Sequence, residues 1–254
     1  MWILIIFRDV WMSYGDTPVL KNINLDIMPG KVNVLLGPNG SGKTTTIKLI
    51  LGILKPVRGV IRVKEYDPTL NPVSVRKITG YVPEDDLVYH SLRVKEYLSF
   101  VARMYGVPRN KLNEAMERVM DAFMIRDYEN YFIGSLSHGL KRRVMLAAAF
   151  IHNPSILLLD EPFIGIDPRI ARALKIVLKE KAKEGRTILV STHILEIAEV
   201  IADNIILLYN GEIIAEGSVD KVLAKAKARG LEDAFLSLTM SREKVAEIVK
   251  ALMG

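Results

Sequence analysis

Two short stretches carry residue types suited to a phosphate chain: GPNGSGKT, Gly37 to Thr44, and the end of ILLLDE, Asp160 and Glu161. The first fits G-x-x-x-x-G-K-[ST], with an apolar run before it (VNVLLG, Val32 to Gly37) and helical spacing after it. Its glycines let the backbone wrap a phosphate chain, with N–H groups and a helix N-terminus aimed inward. Gly37, Pro38, Asn39, Gly40, Ser41, Gly42, Lys43, Thr44 and Thr45 are therefore the candidate cradle. Lys43 supplies a point charge to the β- and γ-phosphates, and Thr44 an oxygen for Mg²⁺. In ILLLDE, four apolar residues place Asp160 at the end of a buried strand, where open α/β sheets bind ligands. Asp160 can hold Mg²⁺ through water, and Glu161 can polarise an attacking water.

These residues need a frame. Apolar positions alternate through Ile3 to Met12 and again through Val19 to Ile27, with SYGDTP as a hairpin-like turn between them. VNVLLG reads as a buried strand, followed by a helix from Lys43 to about Gly52. The middle of the chain differs: Val94 to Tyr105, Arg109 to Met124 and Ser137 to Ile151 have helical spacing with no convincing strand among them. Strand and helix then alternate through ILLLD, a helix opened by Pro168 behind a capping Asp167, TILVST, a helix from Ile194, and IILLYN. That order implies a parallel sheet covered on both faces, with the helical middle as an inserted lobe. Ser241 to Met253 reads as one amphipathic helix.

Composition narrows the class. Of the 254 residues, 50% are hydrophobic and 25% charged, which is globular and not disordered. The absence of cysteine excludes disulfides and thiolate chemistry and suits a reducing cytoplasm. Trp2 to Phe7 is too short for a signal core, and no window approaches the roughly 20 apolar residues of a spanning helix. A soluble chain is expected, or one that meets a membrane through a partner. The net charge of +6 suits nucleic acid or anionic lipid, but Lys175, Lys179, Lys181 and Lys183 alternate with Glu180 and Glu184 as a solvated helix face does. No nucleic-acid partner is expected.

The phosphate loop, LSHGL (Leu136 to Leu140), Asp160–Glu161, GIDP (Gly165 to Pro168) and the histidine after TILVST follow one another in the order of the ATPase subunits of ABC transporters, which the chain resembles over nearly its whole length. The resemblance implies an α/β fold of P-loop NTPase type: a mainly parallel sheet flanked by helices, with an N-terminal antiparallel β subdomain and an inserted helical lobe. It implies one ATPase domain over 1–254. Its core would span 1–84 and 152–217, its signature lobe 85–151, and a C-terminal helical extension 218–254.

It further implies ATP and Mg²⁺, and a head-to-tail pair of such chains sandwiching two ATP molecules. Ser137 and the Gly139 backbone would then touch a γ-phosphate across the interface, although Ser137 serves equally as the cap of its own helix. His138 stands where the family has glycine, so its backbone either suits a Cβ or is strained, and its ring is a candidate donor toward phosphate or partner. Leu140 replaces a glutamine. Glu84, in GYVPEDD, replaces the glutamine that meets Mg²⁺ and the attacking water; a glutamate also ligates Mg²⁺. His193 resembles the histidine that contacts the γ-phosphate and holds Glu161. Tyr14 resembles the aromatic that stacks on adenine, with Trp11 as a rival. Asp167 lies in a loop that crosses the dimer interface.

LRVKEYLSFVARMYGV, Leu92 to Val107, and LEDAFLSLT, Leu231 to Thr239, resemble segments of ATPases serving exporters of drugs, polysaccharides, lipids or sodium. Such a subunit works with a separate transmembrane permease, docked near Asp85 to Tyr89. It sits peripherally on the cytoplasmic face of the membrane and pairs with a copy of itself or a second ATPase. The other reading is an ABC-type ATPase of DNA repair or ribosomes. Those carry long coiled coils or paired ATPase domains, whereas Thr44 to Ser137 holds no sustained heptads and the chain has a single phosphate loop.

Overall fold

Strands β1 (Ile5–Tyr14) and β2 (Thr17–Ile27) pair antiparallel in the computed structural model, which describes residues 4–239 and residue 251. Tyr14 pairs with Thr17, so the turn is only Gly15 and Asp16, tighter than the six-residue SYGDTP connection expected. Gly15, at φ 57°, supplies the left-handed residue that such a turn requires. β3 (Val32–Leu36) is buried along its whole length, and α1 (Lys43–Ile50) follows it after the glycine-rich loop.

Next come β4 (Arg58–Val63), α2 (Pro72–Lys77) and β5 (Thr79–Val82), none of which sequence periodicity signals. β4 adds to β1 to complete a three-stranded antiparallel sheet, order β2-β1-β4. Only Ile61 and Val63 of β4 are buried, so its apolar pattern is too short to read.

The helical middle contains α3 (Val94–Met104), α4 (Leu112–Ala122) and α5 (His138–Phe150). Arg109–Lys111 forms a 3₁₀ turn leading into α4, and Met124, left-handed at φ 53°, lies just past its end. β6 (Ile156–Asp160), α6 (Pro168–Lys183), β7 (Thr187–Thr192), α7 (Leu195–Ile201) and β8 (Asn204–Tyr209) then alternate as expected. β9 (Glu212–Gly217) returns antiparallel to β8 through Asn210–Gly211, at φ 49° and 81°, a two-residue Asn-Gly hairpin turn. α8 (Val219–Ala226) and α9 (Leu231–Thr239) follow. The helix expected over Ser241 to Met253 lies outside the described residues apart from residue 251.

The large sheet has the order β5-β6-β7-β3-β8-β9 and is parallel except for β9. Alternate residues of its strands feed two cores. Leu157, Leu159, Ile188, Val190 and Leu36 pack into the cluster that includes α3 to α7. Ile156, Leu158, Leu189, Ile206 and Leu35 pack against the antiparallel sheet and α1. Burial on both faces makes these strands read as continuous apolar runs. It also leaves the C-terminal ends of β3, β6 and β7, in register at Leu36–Thr192 and Asp160–Ser191, as neighbouring exits where polar side chains can converge.

Candidate active site

The loop between β3 and α1 is shaped by its own backbone. Gly37 N–H donates to Thr192 O (3.2 Å), and Ser41 N–H to Pro38 O (3.2 Å). A Cβ at Gly37 would lie 2.2 Å from Leu208 O, so glycine is required by close approach, while Gly40 and Gly42 take left-handed φ of 78° and 110°. Gly42 is the residue at the N-cap of α1, whose free N–H groups therefore face the loop. Lys43 is buried, and Nζ donates back to Gly37 O (2.8 Å) and Pro38 O (3.1 Å) across the cradle.

Asp160 and Glu161 lie at the exit of β6. Asp160 is fully buried; Oδ1 accepts from the Ser191 hydroxyl, and Oδ2 has no partner. Burial raises its carboxyl above the usual range, against the pull of the Ser191 bond, the nearby Thr44 hydroxyl and the Lys43 charge. Glu161 is left-handed at φ 47°, a conformation that costs a non-glycine residue on the order of 1–3 kcal/mol. Its N–H donates to Ser191 O (3.2 Å) and Oγ (3.1 Å), which anchors the turn to β7. Its Oε1 lies 2.9 Å from His193 Nδ1 and 3.6 Å from Lys43 Nζ, and Oε2 is buried without a partner. An ionised carboxylate only accepts, so Nδ1 is the nitrogen that carries the proton toward Glu161. The structure brings Lys43, Asp160, Glu161 and His193, the residues singled out in the sequence, together in one cluster.

Glu84, just past β5, accepts a long hydrogen bond from Thr44 Oγ1 (3.5 Å), so the residue standing in the glutamine position reaches the phosphate loop. Thr44, Glu84 and the unpartnered Oδ2 of Asp160 offer oxygen donors only, the hard chemistry that suits Mg²⁺. Tyr14 is half exposed, with its hydroxyl 3.4 Å from Thr45 Oγ1, while Trp11 is in register with Arg58 of β4.

Ser137, His138 and Gly139 sit apart from this cluster, at the start of α5, with Ser137 and His138 exposed. Ser137 Oγ caps α5 by accepting from Leu140 N–H (3.4 Å). Position 138 is the first helical residue and has no positive φ, so histidine stores no backbone strain there. The His138 ring bonds Asp86 Oδ2 (2.9 Å) and covers Gly165, where a Cβ would meet its Cδ2 at 2.8 Å. Asp167 caps α6 by accepting from Arg169 N–H (2.8 Å), and the bonds from Arg169 hold its carboxyl below the usual range.

Three participants were missed by sequence reasoning: Ser191, Asp86 and Arg142. Arg142 is 2% exposed and stands one and two turns before Met145, Leu146 and Ala149, all buried. A basic residue on the core face of a helix was the available signal.

Comparison with known proteins places this geometry. A family model described as "ABC transporter" matches residues 20–164. The chain belongs to the ABC transporter ATP-binding family. It is 33% identical over 238 residues to the ABC-type transporter ATP-binding protein EcsA of Bacillus subtilis, covering 93% of this chain and 96% of that protein. It is 32% identical over 219 residues to NatA of the same organism, covering 86% and 89%. The probable multidrug transporter ATP-binding protein YbhF of Escherichia coli is 31% identical over 242 residues, but the chain spans only 42% of its length.

Solved structures agree. An ATP-binding subunit of an ABC transporter superposes with a TM-score of 0.88 at 32% identity, covering 93% of this chain and 99% of that one. CbiO1 of Clostridium perfringens, part of the transporter complex cbiONQ, gives 0.73 at 28% identity, covering 92% and 98%. The dimeric cassette MJ0796 in a post-hydrolysis state with ADP and phosphate gives 0.75 at 25%, covering 85% and 98%. As an ABC ATP-binding subunit the chain is an ATPase, and it carries the P-loop fold expected of it. Among the described residues no helix is long and apolar enough to cross a membrane.

Proposed function

We propose that Glu161 activates the attacking water in a head-to-tail dimer of this ATPase, with Lys43 and His193 fixing it against the γ-phosphate. One observation carries the reading: a single buried carboxylate oxygen is shared by Lys43 and His193 while its twin, Oε2, has no partner. Such an arrangement holds the base by one atom and frees the other for water. Gly37 to Thr45 would cradle the phosphates, and Tyr14 would stack on adenine. Thr44, Glu84 and Asp160 would hold Mg²⁺, which offsets negative charge on the phosphates.

Ser137, His138 and Gly139, at a helix N-terminus that favours anions, would close over the nucleotide of the second subunit, with Asp167 beside them. The dimeric relative supports this pairing, with a copy of this chain or with a second ATPase. In the proposed division, 1–84 and 152–217 form the core, 85–151 the signature lobe and 218–254 the C-terminal extension.

A separate transmembrane permease is the proposed load, as CbiO1's place in a transporter complex supports. Its docking face would be the exposed Leu87, Tyr89, Phe100 and Met104 beside Glu84, where Tyr89 meets Phe100 edge-on at 5.7 Å. On this reading the chain would sit on the cytoplasmic face of the membrane and serve export, which a Nod factor export ATP-binding relative supports. Phosphate release from MgATP by the purified chain, lost in Lys43→Ala, is the test. Equal release by the variant would overturn the assignment.

A further inference from the structure

A buried guanidinium is costly unless its donors are used; Arg142 uses both terminal nitrogens on main-chain carbonyls, while Nε has no partner among the described residues. Nη1 donates to Pro83 O and to Glu84 O (3.2 Å); Nη2 donates to Asp160 O (2.5 Å) and Glu161 O (2.6 Å). The acceptors lie on two segments far apart in the chain, the exits of β5 and β6. Each segment carries acids of the ATP site. Burial pulls the Arg142 proton affinity below the ordinary range, and Asp86, Asp160, Glu161 and Glu84 act against that loss.

The left-handed backbone at Glu161 completes the picture. Such a residue persists only where its surroundings fix it from several sides. Ser191 takes the Glu161 N–H, and Arg142 takes the Glu161 C=O and the Asp160 C=O before it. Removing Arg142 would leave the strained turn to Ser191, the Ile164 N–H and the contacts of the Glu161 side chain, and would untie the Glu84 segment from it.

We infer that Arg142 is a positioning residue for hydrolysis: its forked guanidinium sets the Glu161 turn and the Glu84 segment in one geometry, without touching nucleotide. The inference rests on the assignment of Glu161 to water activation. The phosphate loop Gly37–Thr45 makes no bond to Arg142, so the loss of Arg142 should weigh on turnover far more than on binding. Lysine keeps the charge but has no planar fork to span two segments.

The experiment compares wild type, Arg142→Lys and Arg142→Met by phosphate release over a range of MgATP, by thermal melting, and by amide hydrogen exchange without nucleotide. In the folded lysine variant kcat should fall about tenfold or more while KM stays within about threefold. Exchange should quicken at the amides of Glu84, Asp85, Asp86, Glu161, Phe163 and Ile164. Arg142→Met should lose more turnover; if it does not fold, the lysine variant decides alone. A lysine variant with wild-type kcat, or with unchanged exchange at those amides, overturns the inference. So does a loss carried by KM. Full turnover in Glu161→Gln would instead overturn the water-activation assignment, which separates the two failures.

Discussion

His193 Nδ1 and Glu161 Oε1 stand 2.9 Å apart, joining the exits of β7 and β6. The same oxygen faces Lys43 at 3.6 Å, so a basic residue of the phosphate loop and the histidine after β7 meet at one atom. Oε2 is buried and has no partner among the described residues. Glu161→Gln keeps the shape and removes the proposed base. Its kcat should fall about 10²–10⁴-fold, the usual worth of a general base, with ATP binding retained. Phosphate release beside equilibrium ATP binding checks this, and retained turnover would end the role.

His193 and Glu161 act as a unit, so their losses should not add. His193→Ala should lower kcat in the wild-type background and have little further effect in Glu161→Gln. A full additional loss in the double variant would mean that His193 works independently of the carboxylate.

Two of the loop's glycines, Gly37 and Gly40, should respond differently to a methyl group. At Gly37 the new Cβ would overlap Leu208 O at 2.2 Å, a backbone atom that cannot swing away. Gly37→Ala should therefore lose about 1–3 kcal/mol of stability by overpacking, and nucleotide binding with it. Gly40 has open space around it and only its φ of 78° to resist substitution. Gly40→Ala should cost about 1 kcal/mol. Urea midpoints of the two variants decide the order, and equal midpoints would contradict it.

The parts of the site legible in sequence are those written in side chains of neighbouring residues. β3, β6 and β7 are buried on both faces, so each reads as an apolar run whose end marks a site position: Gly37, Asp160, His193. The caps Ser137 and Asp167 were legible because a cap is chosen locally. β5 was not, because four residues including Thr79 and Gly80 carry no hydrophobic period and owe their strand to β6. The Arg142 contacts were hidden for another reason. Their acceptors are backbone carbonyls 18 to 59 residues away, and a carbonyl has no residue identity to recognise.

Ser137 and His138 make separable predictions in the Glu161→Gln background, where ATP is held without turnover. Ser137→Arg places a bulky cation at the exposed N-terminus of α5, against its dipole, and should abolish dimer formation by MgATP in sedimentation. His138→Gly should preserve it. That variant relieves no strain and loses an exposed pair with Asp86, worth at most about 1 kcal/mol. Dimerisation lost in His138→Gly would show that the ring itself grips the partner or its nucleotide.

A pH dependence of stability follows from His152, well outside the ATP site. Its ring stacks on Tyr105 with centroids 3.9 Å apart and planes at 17°. Burial pulls its pKa from 6.5 down to about 4. The folded protein thus holds the neutral ring while the unfolded chain takes up a proton below 6.5. The sign is fixed: this contribution is intact above pH 6.5 and is lost as pH falls toward 4, by at most about 3 kcal/mol. His152→Phe keeps an aromatic ring against Tyr105 and removes the proton site. Its melting temperature should fall less steeply than the wild type's between pH 6.5 and 4, with the curves parallel above 7. Parallel curves throughout would mean that His152 titrates alike in the folded and unfolded chain.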